Sequence, residues 1–263
     1  MNSLTQQILT HLIDEHESTK TRGRPNKKDT AHYLKYIFKI LKSGMRWCDL
    51  DGGLYYKTYY KKFDKWVKAG IFESAHTCLM KILEASKFFN RRTQKLFIDC
   101  SMIKNVFGTD ETGSNHYDRH RKASKISIIV TQDGIILGLT IAKGNVNDVT
   151  LVEDTLDKVA IKVVGSRLIG DRGYISQKQK DKLRVTRNIT MVYPYRSNQK
   201  KQELSQEDKT DLGQRYIVEH CFSWIQQYRR LKIRYDKKVA NLLAFYYFAI
   251  TDICCKKLDK LLK

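Results

Sequence analysis

The sequence predicts an α/β fold: a mixed five-stranded sheet flanked by helices, preceded by an all-α, helix-turn-helix-like unit. Three observations carry that prediction. Apolar residues recur at helical spacing as far as Phe89, and the period shortens to that of a strand at Lys95. The later segments come in the order strand, strand, strand, helix, strand, helix, strand, helix. Only two prolines occur, Pro25 and Pro194, and each falls at a boundary between segments.

The first 21 residues read as helical and then polar, and they lead into the basic stretch Arg22-Gly23-Arg24-Pro25. Asp29 or Thr30 caps the next helix, where Leu34, Ile37, Phe38 and Leu41 share a face and Ser43-Gly44 makes the stop. A helix over residues 56–69 turns Tyr59, Tyr60, Phe63, Trp66 and Val67 inward, with Lys57, Lys61, Lys62, Lys65 and Lys68 outward. Gly70 ends it, and a further helix covers 72–89. Strands are expected at 95–103, 126–131 and 135–142, the last two joined by the hairpin signal Gln132-Asp133-Gly134. Asp148 caps a helix reaching residue 159, 167–170 is a short strand, 176–183 a helix and 189–193 the fifth strand. Residues 195–210 lack apolar periodicity and read as a mobile loop. Helices over 212–230 and 238–262 finish the chain. The change of period divides it into an N-terminal helical domain, 1–92, and a second domain, 93–263.

Charge narrows the function classes. The 263 residues carry 49 Lys+Arg against 28 Asp+Glu, a formal net charge of +21. Such an excess repels itself unless a polyanion sits beside it, and nucleic acid is the first candidate. A membrane surface is the second, but no run of about 18 apolar residues spans a bilayer. Nor does the N-terminus show the charged-then-apolar pattern of a signal peptide. Six cysteines form no CxxC pair and are too dispersed for a zinc cluster, so they read as reduced thiols of an intracellular protein.

The order of segments is that of the ribonuclease-H-like fold. There, acids on the first strand, at the end of the fourth strand and on the closing helix converge. Asp99 in Phe97-Ile98-Asp99-Cys100-Ser101, Asp171 in Leu168-Ile169-Gly170-Asp171-Arg172-Gly173 and Glu219 in Arg215-Tyr216-Ile217-Val218-Glu219 occupy those places. An aspartate after an apolar strand core is costly unless its charge is compensated. Divalent cations are the natural compensators, since they take hard oxygen ligands. Two of them about 3.5–4 Å apart activate an attacking oxygen and stabilise a leaving one. Each acid alone has a plainer reading as a cap or a surface ion pair; the three together point to catalysis. Asp148 competes with Asp171 for the second position, but capping accounts for it and Asp171 is favoured.

The chain resembles the insertion-sequence DDE transposases of the insertion-sequence-five family, nearly end to end. Glu219-His220-Cys221-Phe222-Ser223-Trp224, continuing through Tyr228-Arg229-Arg230-Leu231 to Arg234-Tyr235, is similar to the signature around that family's third acid. Asp171-Arg172-Gly173-Tyr174 resembles the segment around the second acid, and Ile98-Asp99-Cys100-Ser101 that around the first. Gly144-Asn145-Val146-Asn147-Asp148 matches a further segment, and residues 22–71, with Trp47 and Trp66, resemble the N-terminal helical domain. A related signature has Tyr and Lys where this chain has Leu212 and Gln226, while Arg215 keeps its place one turn before Glu219. The resemblance implies a ribonuclease-H-like core, dependence on Mg²⁺ or Mn²⁺, and cleavage and strand transfer at the ends of a mobile element.

Candidate DNA contacts are Arg22 and Arg24 in the basic stretch, Lys57, Lys61 and Lys62 on the lysine-rich helix, Arg215, and Arg229, Arg230 and Arg234 after the third acid. A solvated basic surface is the plainer alternative for each group. The expected partners are double-stranded DNA, both terminal repeats and target, and further copies of the chain on that DNA, with no membrane. A nuclease that cuts without joining, or a domesticated transposase that only binds DNA, are the competing function classes.

Overall fold

In the computed structural model, which describes residues 1–18, 28–89, 94–116, 118–195 and 204–261, the first helices form where the apolar spacing predicts them. They are α1 (Ser3–Ser18), α2 (Thr30–Ser43), α3 (Tyr56–Lys68) and α4 (Ile71–Ala85). The Asp29 carboxylate caps α2 by accepting from His32 N at 2.8 Å. Gly44 ends α2 in the left-handed region at φ 72°, where a side chain would also meet Arg229 Cβ at 3.1 Å. Tyr59, Phe63 and Trp66 of α3 are fully buried, but Tyr60, expected inward, is 38% exposed, its ring edge-on to that of Trp47.

Two compact units make up the chain. The first comprises Met1–Leu79, Asn105–Asp110 and Trp224–Lys263; the second comprises Met80–Lys104 and Glu111–Ser223. They do not coincide with a division at residue 92, because the last helix, α9 (Val239–Leu261), belongs with the N-terminal ones. Its aromatic side chains complete their core: Phe245 stacks on Phe63 at 4.4 Å between ring centroids, and Phe248 on Phe72 at 5.4 Å. Among the described residues α9 alone is long and apolar enough to cross a membrane, and its apolar stretch is 78% buried in the protein.

The second unit is built on the sheet. Its strands are β1 (Lys95–Asn105), β2 (Gly113–Asn115), β3 (Arg121–Thr131), β4 (Ile136–Lys143), β5 (Arg167–Ile169) and β6 (Thr190–Val192). β3 lies antiparallel between β1 and β4, while β5 and β6 run parallel to β1 on its other side. The order β4-β3-β1-β5-β6 contains all five expected strands, and the short β2 pairs with the start of β3. That start, from Arg121, was not expected in a strand because it is polar; Ser124 and Lys125 are nevertheless buried.

Helices α5 (Val152–Leu156), α6 (Gln177–Arg187), α7 (Gln206–Gly213) and α8 (Tyr216–Gln226) accompany the sheet. α7 begins inside the stretch expected to be a loop, 195–210, and runs on to Gly213. It has no apolar face; charge docks it instead, since the fully buried Asp211 pairs with Lys95 at 2.6 Å and Arg167 at 2.7 Å, and Asp208 pairs with Arg167 at 2.5 Å. The helix expected over 212–230 is shorter at both ends. It stops at Gln226, and Tyr228 turns inward to donate its hydroxyl to Asp252 at 2.6 Å.

The sharing of α9 sets the first test. A fragment ending at residue 92 lacks the rings that cover Phe63 and Phe72, so it should show no cooperative thermal transition by circular dichroism. Restoring residues 224–263 on a flexible linker should bring the transition back.

Candidate active site

The register of the parallel strands brings two acids to one edge. Phe97 of β1 lies opposite Ile169 of β5. Asp99, within β1, and Asp171, just past the end of β5, each stand two residues beyond that pair, so the period of two turns both to the same face. Leu96, Phe97, Ile98, Leu168 and Ile169 beneath them are fully buried.

Asp99 is the half-buried centre of the group. Burial pushes its carboxyl up to about 6, and the charges of Asp171 and Asp148 push the same way. The Cys100 N–H, donating at 2.8 Å, and the Arg215 guanidinium, 3.9 Å away, oppose the shift. Next door, burial and the charge of Asp148 push the Cys100 thiol up to about 12, so it stays protonated and is no nucleophile. Its sulfur sits 3.3 Å from the hydroxyl of the buried Tyr174.

Asp171 makes a cap, and Asp148 does not make the one expected of it. Asp171 caps a turn, its Oδ1 accepting from Gly173 N at 2.8 Å. Asp148 caps nothing: Asn147 precedes the short 3₁₀ turn Asp148–Leu151 and makes no side-chain cap. The Asp148 carboxylate instead accepts from Lys125 Nζ at 2.5 Å, and that buried lysine also donates to Val146 O at 2.6 Å. A Cβ on Gly173 would lie 2.9 Å from Asp171 Oδ1 and 3.2 Å from Asp148 Oδ2, so both carboxylates reach one spot. The capping explanation for Asp148 is therefore wrong. The signal that could have found it is Lys125, a lysine inside a buried strand.

Glu219 stands differently. It occupies the first turn of α8, one turn after Arg215, and is exposed. Among the described residues no three His, Cys, Asp or Glu side chains are gathered closely enough to hold a metal ion. The structure thus brings Asp99, Asp171 and Asp148 together, ties the start of α8 to Asp99 through Arg215, and leaves Glu219 outside the group. A carboxylate lifted first by burial and then by two like charges has the chemistry that a divalent cation would offset.

Several expected DNA contacts are occupied elsewhere. Arg234 is fully buried, bonded to Asp110 and to the carbonyls of Asp236 and Lys237. Arg230 is 5% exposed and makes a bidentate pair with Asp236 at 2.9 and 3.0 Å. Both act as internal cations, held where carboxylates and carbonyls satisfy the planar guanidinium. Lys62 is likewise engaged, with Glu17 at 3.0 Å. Arg215 faces Asp99. Lys57, Lys61 and Arg229 are exposed. Arg22 and Arg24 lie outside the described residues.

The order and directions of the strands are those of the ribonuclease-H-like fold. Residues 90–251, well over half of the chain, match the family described as "Transposase DDE domain". Residues 6–76 match that described as "Putative transposase of IS4/5 family". A protein of Burkholderia cepacia titled "Putative transposase for insertion sequence element IS402" is 30% identical over 164 residues, 59% of this chain and 73% of that protein. The chain belongs to the DDE transposase family, and it is an enzyme that acts on DNA. Proteins with this domain generally use divalent metal ions. Two solved structures also overlap it. One is the Mos1 transposase paired-end complex with left transposon end, at TM-score 0.29 and 9% identity over 84% of this chain and 86% of that one. The other is the Mos1 Strand Transfer Complex, at TM-score 0.32 and 10% identity over 94% and 83%. Likeness at this level adds no argument about the site.

The raised carboxyl gives a test in metal-free protein. A group whose folded value exceeds its ordinary value favours the fold only while protonated. The cost of charging Asp99 is therefore absent below pH about 4, grows through the window up to about 6 and is full above it. At neutral pH it amounts to about 3 kcal/mol. Asp99→Asn should raise the melting temperature with chelator at pH 7.5, with the gain vanishing towards pH 4. A gain independent of pH would show that the charge is not its source.

Proposed function

We propose that Asp99, Asp171 and Glu219 are the catalytic acids of an insertion-sequence transposase. Its reaction is metal-dependent cleavage of DNA at the ends of its element and transfer of the freed strand to a target. The observation that carries the reading is the two-residue overhang of Asp99 and Asp171 beyond the Phe97–Ile169 pair. The Glu219-to-Tyr235 segment supports assignment to the insertion-sequence-five branch of the IS4/5 transposases.

Mg²⁺ or Mn²⁺ would be held by Asp99, Asp171 and Glu219, and when bound it supplies activation of the attacking oxygen and charge for the leaving one. The chain's own groups prepare the site. The apolar strand cores beneath Asp99 limit water there, which strengthens every charge interaction at that edge. Gly173 N–H fixes the orientation of Asp171. Arg215 keeps part of the Asp99 charge neutralised and, being one turn from Glu219, steers that acid when DNA arrives. Lys57, Lys61 and Arg229, with Arg22 and Arg24, meet the phosphates, so the first unit carries the recognition of DNA. Assembly of copies on the paired ends follows from the need to cut two ends together.

A second reading replaces Glu219 by Asp148, because Asp148 couples to both aspartates while Glu219 stands exposed. Cleavage of DNA carrying the terminal repeats separates the two. Asp99→Ala, Asp171→Ala and Glu219→Ala should each slow cleavage by about 10³-fold or more, with DNA affinity unchanged, and EDTA should do the same to the unaltered protein. Asp148→Ala should leave measurable cleavage. If Glu219→Ala cleaves normally and Asp148→Ala does not, the third acid is Asp148.

A further inference from the structure

Four lysines of the first unit converge on one cavity of about 280 Å³. Lys42 comes from the last turn of α2 and Lys256, Lys257 and Lys260 from the end of α9, while Trp224 and Tyr228 supply aromatic walls. Lys42 Nζ lies 4.5 Å from the centre of the Tyr228 ring and Lys256 Nζ 5.7 Å from the same centre, so two ammonium groups share one ring. Lys257 Nζ lies 4.8 Å from the centre of the Trp224 ring.

One carboxylate, Asp252, offsets part of their charge. Asp252 accepts from Lys256 at 2.6 Å, but it is fully buried and also accepts from the Tyr228 hydroxyl and Asn2 N–H. Among the described residues no carboxylate pairs with Lys42, Lys257 or Lys260. Burial and the neighbouring Lys256 charge push the Lys42 ammonium below its ordinary value, against the opposing charge of Asp252. A lysine at a helix C-terminus is favoured by the helix dipole, which accounts for Lys42 or Lys260 singly. It does not account for bringing them together around a cavity, where their mutual repulsion works against the fold unless an anion arrives.

We propose that this cavity holds a backbone phosphate of the DNA on which the enzyme acts. It is a contact additional to Lys57, Lys61 and Arg229. The volume is just under the ~300 Å³ at which pockets begin to accept whole small molecules, which suits a phosphodiester and part of its sugar. Cation–π contacts with the two aromatic walls hold Lys42, Lys256 and Lys257 beside the cavity. A free phosphate has the same chemistry; the DNA strand is favoured because the remaining phosphates of a strand add contacts that a lone anion lacks.

The test compares two triple variants of the full chain with equal loss of charge. One is Lys42→Ala, Lys257→Ala and Lys260→Ala; the other is Lys81→Ala, Lys178→Ala and Lys209→Ala, at exposed positions elsewhere. The cavity variant should bind duplex DNA several-fold more weakly, with a log–log salt slope shallower by about 1 unit for one phosphate lost. The second variant should keep the original slope. Equal changes in both would reduce the effect to net charge and overturn the proposal. On the unaltered chain, duplex DNA should shield Lys42, Lys257 and Lys260 from acetylation, and inorganic phosphate at the same phosphate concentration should not. Shielding by inorganic phosphate as strong as by DNA would make this a small-anion site instead, and absence of shielding by either would remove the site.

Discussion

Because Phe97 and Ile169 lie opposite each other in adjacent parallel strands, everything that follows them on either strand emerges at one height. Asp99 and Asp171 inherit their proximity from that register alone. A slip of one residue would turn one carboxylate to the opposite face and separate the pair. The surrounding structure defends the register from both sides. β3 pairs with β1 over nine consecutive positions from Leu96 to Lys104. At the other margin, Arg167 starts β5 while anchored to Asp208 and Asp211. An ion-docked helix thus holds in place the strand that carries the second acid.

Charge does two kinds of work in this chain, and they draw on the same residue types. Arg230, Arg234, Arg167, Lys125 and Lys62 are committed to internal carboxylates or carbonyls. Removing either partner of such a pair leaves an uncompensated charge in a poorly solvated place. Each such pair cancels within the formal net charge of +21, so the excess of basic groups lies outside these internal pairs. Lys57, Lys61, Arg229 and, around the Tyr228 ring, Lys42 and Lys256 are among the basic residues that stay exposed. The acids divide in the same way, with Asp236, Asp110 and Asp211 structural, and Asp99 left with two like charges beside it. At that edge Lys125 and Arg215 offset part of the charge of the acids.

The sequence by itself determined the five strands, their order, and the placing of Asp99 in the first strand and Asp171 at the end of the fourth. Each depends on local pattern: an apolar run, a hairpin turn, an acid placed directly after a buried core. The family resemblance rested on short contiguous segments, and the match of residues 90–251 to the DDE domain agrees with it. Tertiary structure decided what periodicity cannot encode. Helix α7 has no apolar stripe to read, because its docking is ionic and its partners Lys95 and Arg167 are more than 40 residues away in the chain. Arg230 and Arg234 look like a surface patch until Asp236 and Asp110 fold against them. Asp148 looks like a helix cap until Lys125 takes its carboxylate. α9 looks like an appendage of the second domain until Phe245 and Phe248 close the core of the first. In every case the deciding contact joins residues whose separation in the chain or whose charge pairing leaves no local signature; only the folded chain brings the partners within reach.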